Sequence, residues 1–182
     1  MRRVSVLVSV VAVTLVALFT FGLVVTRTTA QESTPAAAPP GAVGLSVQLL
    51  GSGTPDAAPD HQLALRRITF APGATVGSHH HPGALALTVE SGALGYLVQE
   101  GEVTVVRATT DGTPGPTEDL TPGVEIILNP GDALFEQGVI HSARNASDGE
   151  TIVWVASLVG AEEPFTIFHD GMAPAAAATP AP

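Results

Sequence analysis

From Leu45 to Phe168 the chain alternates between apolar stretches of about five to nine residues and short breaks that carry Pro-Gly, Asp-Gly or similar pairs. These breaks include Pro72-Gly73, Pro82-Gly83, Asp111-Gly112, Pro122-Gly123, Pro130-Gly131 and Asp148-Gly149. Apolar runs this short between turn residues read as strands, and no segment keeps a helical period over several turns. In Leu85-Ala86-Leu87-Thr88-Val89-Glu90 the large apolar side chains fall on alternate positions, which places Leu85, Leu87 and Val89 on one face and Glu90 on the other. The odd-numbered face is predicted to point inward. Further strands are predicted over 63–70, 94–99, 103–107, 124–128, 133–137, 152–158 and 165–168, with Trp154 a core residue sharing a face with Ile152 and Ala156. The expected fold is all-β, one antiparallel domain.

The two ends are of another character. Met1-Arg2-Arg3, an apolar run from Val4 to Val25, and Thr28-Thr29-Ala30-Gln31 are the basic, apolar and small-residue parts of a secretory signal. The apolar run is long enough to cross about 30 Å of hydrocarbon, so residues 1–30 are read as a signal peptide, with cleavage at Ala30 favoured, or as an N-terminal membrane anchor. Either outcome puts the domain outside the cytoplasm, secreted or anchored, and membrane contact is expected only through this segment. Residues 31–44 read as a Pro/Ala-rich linker, 45–170 as the folded domain, and 171–182 as a solvated tail.

Composition narrows the partners. The chain has 182 residues, 45% hydrophobic and 13% charged, which suits one core with dispensable ends. Seven basic residues, all arginine, face 17 acidic ones, for a net charge of −10. Three of those arginines flank the apolar segment, so the rest is still more acidic and would repel a phosphate backbone. Nucleic acid is not an expected partner. Cysteine is absent, which excludes a disulfide framework and a lipid on an N-terminal cysteine.

The candidate chemistry lies in histidines. Four of the six occur in Ser78-His79-His80-His81-Pro82 and Ile140-His141-Ser142. In an extended chain His79 and His81 project to one side and His80 to the other, where it reads as solvated. If the strand bearing His141 lies alongside, three neutral imidazoles can converge at about 2.0–2.1 Å on a divalent ion and leave a position open for water or a small ligand. Because the ligands must be neutral, such an ion is expected to leave as pH falls through about 6. His61 and His169 sit near the domain edges and read as non-ligands. Asn145 reads as a turn or packing residue, and Asp111, Glu118 and Asp119 as a solvated loop.

The spacing resembles the cupin superfamily, whose first motif is G, five residues, H-x-H, three or four residues, E, six residues, G. Gly73, His79, His81 and Gly92 fall in its register. The second motif, G-x5-P-x-G-x2-H-x3-N, is similar to the run from Gly131 through Gly138 and His141 to Asn145, with Gly131 one residue closer and Glu136 in place of the proline. The resemblance implies a conical, jelly-roll-like β-barrel (a double-stranded β-helix) binding a metal inside through histidines and a glutamate, and proteins of this kind commonly form homodimers. Leu85 stands where the glutamate belongs. Glu90 is on the opposite face, and Glu136 reaches the site only if the barrel turns it inward. The implied ligands are therefore His79, His81 and His141, for zinc, iron, manganese, nickel or copper. Tyr96 is the one tyrosine available as a general base. Whether the protein is an enzyme stays open, and the alternative is a non-catalytic barrel that binds a small ligand without metal.

Overall fold

The computed structural model describes residues 41–111, 113 and 115–169. The segment read as a signal or anchor, most of the linker and the C-terminal tail lie outside these. Among the described residues, no helix is long and apolar enough to cross a membrane.

The described chain is a succession of strands: β1 (Ala42–Gly53), β2 (His61–His80), β3 (Gly83–Ser91), β4 (Leu94–Glu100), β5 (Thr104–Val106) and β6 (Thr117–Asp119). There follow β7 (Glu125–Leu128), β8 (Ala133–Gln137), β9 (Ile140–Asn145), β10 (Thr151–Gly160) and β11 (Ile167–Phe168). β1 begins inside the stretch read as linker, and Glu118 and Asp119, expected in a loop, form β6. Every pairing is antiparallel, in the order β6-β5-β8-β3-β10-β2-β9-β4-β7, with β1 and β11 also on β2.

β2 organises this arrangement. Its first half pairs with β10 from His61 to Phe70, and its last residues pair with β9 from Thr75 to His79. The change of partner occurs around Pro72-Gly73, which bends the strand where the sequence predicts a turn. Opposite it on β1, Val43 faces Thr75 but Leu45 already faces Phe70, so β2 bulges there, helped by a proline that offers no N–H and a glycine at φ +74°. β2 thus joins the two halves of one curled sheet, whose inner face encloses a common core that includes Leu85, Val89, Val153 and Val155 from one half and Leu94, Tyr96, Val98 and Ala143 from the other. Gly92 makes the tight exit from β3: it lies at φ +78°, and a Cβ there would come within 2.7 Å of the Glu150 carbonyl oxygen. The motif glycine is needed for that close approach.

The inward face of β3 is the odd-numbered one, as predicted. On β10 the structure reverses the expectation. Val153, Val155 and Val159 are buried, whereas Ile152, Trp154 and Ala156 lie on the outer side. Trp154 instead donates from Nε1 to Glu90 at 2.5 Å, beside the Arg67–Glu90 pair. Valine packs in the core without a polar atom to satisfy, while the indole N–H finds its acceptor at the surface.

Asn145 ties the end of β9 to two other segments. Its Nδ2 donates to the carbonyls of Phe70, Ala71 and Gly149 at 3.0, 3.0 and 2.7 Å. Its Oδ1 accepts from Ser147 N, Ser147 Oγ and Thr151 Oγ1 at 2.7–2.8 Å. The structural reading of this residue therefore holds. Asn145→Ala is expected to cost about 2–4 kcal/mol, because it strands several buried partners at once; a urea midpoint equal to that of the unmodified protein would contradict this role.

Candidate metal centre

The strand register brings His79, His81 and His141 together. His79 on β2 lies directly opposite His141 on β9, and His81 follows two residues on, at the exit of β2. Ring centroids are 4.2 Å apart for His79–His141, 4.9 Å for His79–His81 and 5.5 Å for His81–His141. All three are buried, and one ring nitrogen from each falls within 4.8 Å of the others.

Their hydrogen bonds determine which nitrogens face inward. His79 Nδ1 meets the Gly77 carbonyl at 2.8 Å and His81 Nδ1 meets the Phe165 carbonyl at 2.6 Å. A carbonyl only accepts, so each Nδ1 carries the proton and each Nε2 keeps its lone pair. His141 Nδ1 is buried with no hydrogen-bond partner. An orphaned ring nitrogen beside two free lone pairs can accommodate a cation. Three buried histidines can thus hold a metal ion here.

Burial favours the uncharged form of each group. It lowers His79 to about 4, against the raising effect of the Gly77 carbonyl. It lowers His81 to about 3, with His79 adding to the effect, and it depresses His141 well below its usual value, aided by His79 and His81. Protons therefore compete for these rings at lower pH than free imidazole suggests, which moves the expected release of an ion below pH 6.

The structure also places a carboxylate here. β8 pairs with β3, and the residue opposite Leu85 is Glu136. Its Oε1 lies 3.7 Å from His81 Nε2 and its Oε2 lies 3.5 Å from His141 Nδ1. Burial raises its pKa to about 7, while a hydrogen bond from Tyr96 acts in the opposite direction. Tyr96, stacked on His141 at 4.7 Å, donates its hydroxyl to Glu136 Oε2. Burial, then the neighbouring Glu136, raises the phenol well above its usual value, so it acts as a donor rather than a base.

A cavity of about 90 Å³ adjoins these residues, walled by apolar side chains such as Leu85, Leu87, Val153 and Val155 and bounded by Phe165 and Phe168. This is small beside the ~300–1,000 Å³ of drug-sized sites. Phe165 packs on His81 at 4.7 Å and lies beneath the Arg66 guanidinium at 4.0 Å, while Arg66 donates to Ser157 Oγ at 2.7 Å. The C-terminal segment thereby fixes one wall of the site. His80, read as solvated, is half-buried, with its Nδ1 2.8 Å from Nε2 of His169. These two histidines and the exposed His61 stand apart from the buried cluster.

No family model and no curated protein sequence matches the chain. Among solved structures it is similar to KdgF from Halomonas sp., at 16% identity and a TM-score of 0.43 over 68% of this chain and 86% of that one. It is also similar to the polyketide cyclase RemF from Streptomyces resistomycificus, at 20% identity and a TM-score of 0.40 over 75% and 80%. A cupin-like protein from Thermotoga maritima matches at 20% identity and a TM-score of 0.40 over 70% and 78%. With His79 set opposite His141 where β2 passes from its pairing with β10 to its pairing with β9, the chain has the all-β, antiparallel, jelly-roll-like arrangement that the sequence resemblance implies.

Proposed function

We propose that the barrel holds one divalent metal ion on His79, His81 and His141 and presents it to a small, largely apolar molecule in the adjoining cavity. The observation that carries this reading is the buried trio of ring nitrogens, two with their protons committed to carbonyls and one with no partner. Imidazole suits zinc, iron, nickel and copper, whereas manganese prefers oxygen ligands. When bound, such an ion supplies Lewis acidity and an activated water, or redox chemistry if the metal is iron, manganese or copper. The residues of the chain orient the ligands through the Gly77 and Phe165 carbonyls, and the apolar wall excludes bulk water. The basic, apolar and small-residue order of residues 1–31 supports a location outside the cytoplasm.

The test is elemental analysis of the protein, purified without a histidine tag or nickel column, beside the variant His79→Ala, His81→Ala, His141→Ala. About one ion per chain is expected in the first and none in the second. A protein that takes up none of the five metals would instead support the second reading, a small-ligand barrel without metal, which the apolar cavity wall favours.

A further inference from the structure

We propose that Glu136 is a fourth metal ligand, carried by β8 to the place that Leu85 leaves without a carboxylate, and that Tyr96 positions it. The inference rests on the metal-binding reading above and adds a residue outside the expected ligand set.

Three independent observations converge on Glu136. The first is register. Leu85 and Glu136 are direct partners across the β3–β8 ladder, and side chains opposite each other on one face of an antiparallel pair have Cβ atoms about 4.5–5.5 Å apart. A carboxylate lost from one strand can therefore be supplied by the other with little change in where its oxygens lie.

The second is the orientation of β8. Its outer face carries Phe135, 58% exposed, and its inner face carries Glu136, 5% exposed. Leu134 shares the inner face and favours this orientation, but it comes with a buried carboxylate, which is costly, and an exposed phenyl ring, which forgoes a favourable burial. The strand keeps the costly orientation, and its carboxylate points at the histidines.

The third is spacing. The approaches to His81 Nε2 at 3.7 Å and His141 Nδ1 at 3.5 Å are too long for hydrogen bonds. Two donors bonded at about 2.1 Å to one tetrahedral ion stand about 3.4 Å apart. Oε1 thus stands from His81 Nε2 much as one ligand atom stands from another on a shared ion, while the other oxygen of the same carboxylate lies beside His141 Nδ1. The Tyr96 hydroxyl bonds Oε2 and leaves Oε1 on the His81 side, and the ring of Tyr96 is held by its stacking on His141. It acts through Glu136, as the outer partners of ligating carboxylates do.

The experiment uses the full chain stripped by a chelator and titrated with cobalt(II) alone. Affinity is read by competition with a chromophoric chelator, and coordination by the visible bands of the bound cobalt. Glu136→Gln should weaken binding by more than ~100-fold and alter the position and intensity of those bands. Tyr96→Phe should weaken it by about 10-fold with a smaller band shift, a signature that a packing defect alone would not produce. Glu90→Gln, a carboxylate on the outer face, should change neither. The exchange variant Leu85→Glu, Glu136→Leu returns one carboxylate to the strand pair and should recover most of the affinity, which keeps the proposal testable if Glu136→Gln fails to fold. Unaltered affinity and bands in Glu136→Gln would overturn the fourth ligand and leave the three-histidine site standing. Failure of the unmodified protein to bind cobalt would overturn both.

Discussion

Stripping the ion from the metal-loaded barrel is expected to lower its melting temperature by about 12 °C. An ion held at about 1,000 times its dissociation constant stabilises the folded state by about 4 kcal/mol, and for a domain of this size each kcal/mol corresponds to about 3 °C. The effect is large because the site is built from distant parts of the chain. His79 and His81 come from β2 and its exit, and His141 from β9, so the unfolded chain holds no preformed site and nearly all the binding energy is available to folding. The triple histidine variant should melt at one temperature with or without the ion. Calorimetry with and without a chelator checks both expectations. An unmodified protein that melts identically in the two conditions would show that the histidines contribute to the fold without metal.

In the metal-free protein, stability should peak near pH 6.5 and fall on both sides, much more steeply towards acid. His79 and His81 are lowered from 6.5 to about 4 and about 3, so the folded state binds fewer protons than the unfolded one. Their contribution is fully present above about pH 6.5 and is lost as pH falls through the folded values. For His79 alone this amounts to about 3 kcal/mol at ~1.4 kcal/mol per unit, and His141 shifts in the same direction. Glu136 has the opposite sign. Raised from 4.5 to about 7, it favours the folded state below about pH 4.5, and that contribution is lost as pH rises to about 7. Between 4.5 and 6.5 three histidines outweigh one glutamate, so stability rises with pH; just above that range only the glutamate changes, and stability declines slightly. Urea midpoints measured in chelator from pH 4 to 9 would show this profile, and Glu136→Gln should flatten its alkaline side. A flat acid side would mean that the three rings are not buried as neutral groups.

The distinction between inner and outer faces shows where local pattern stops being informative. On β3, Leu85, Leu87 and Val89 alternate with small or polar residues, so a single apolar face exists and its direction follows. On β10 both faces are apolar, and alternation sorts Trp154 with Ile152 and Ala156 without saying which set is inside. Packing of the valine set against β3 and β2 made that choice. On β8 the pattern is ambiguous, because Leu134 and Phe135 lie on opposite faces, and the structure turns Leu134 and Glu136 inward.

By itself the sequence determined the all-β class, the inward face of β3, and the shared side of His79 and His81, because a strand's period of two is a property of the backbone and needs no partner. Only the tertiary structure decided that β9 lies beside the end of β2 with His141 opposite His79, and that β8 lies beside β3 with Glu136 opposite Leu85. It likewise set Tyr96 between Glu136 and His141. These are contacts between residues about 40 to 60 positions apart, set by which strands pair and in which register. That register is chosen by how the whole core packs, a sum over the entire sheet that no local stretch of the chain contains.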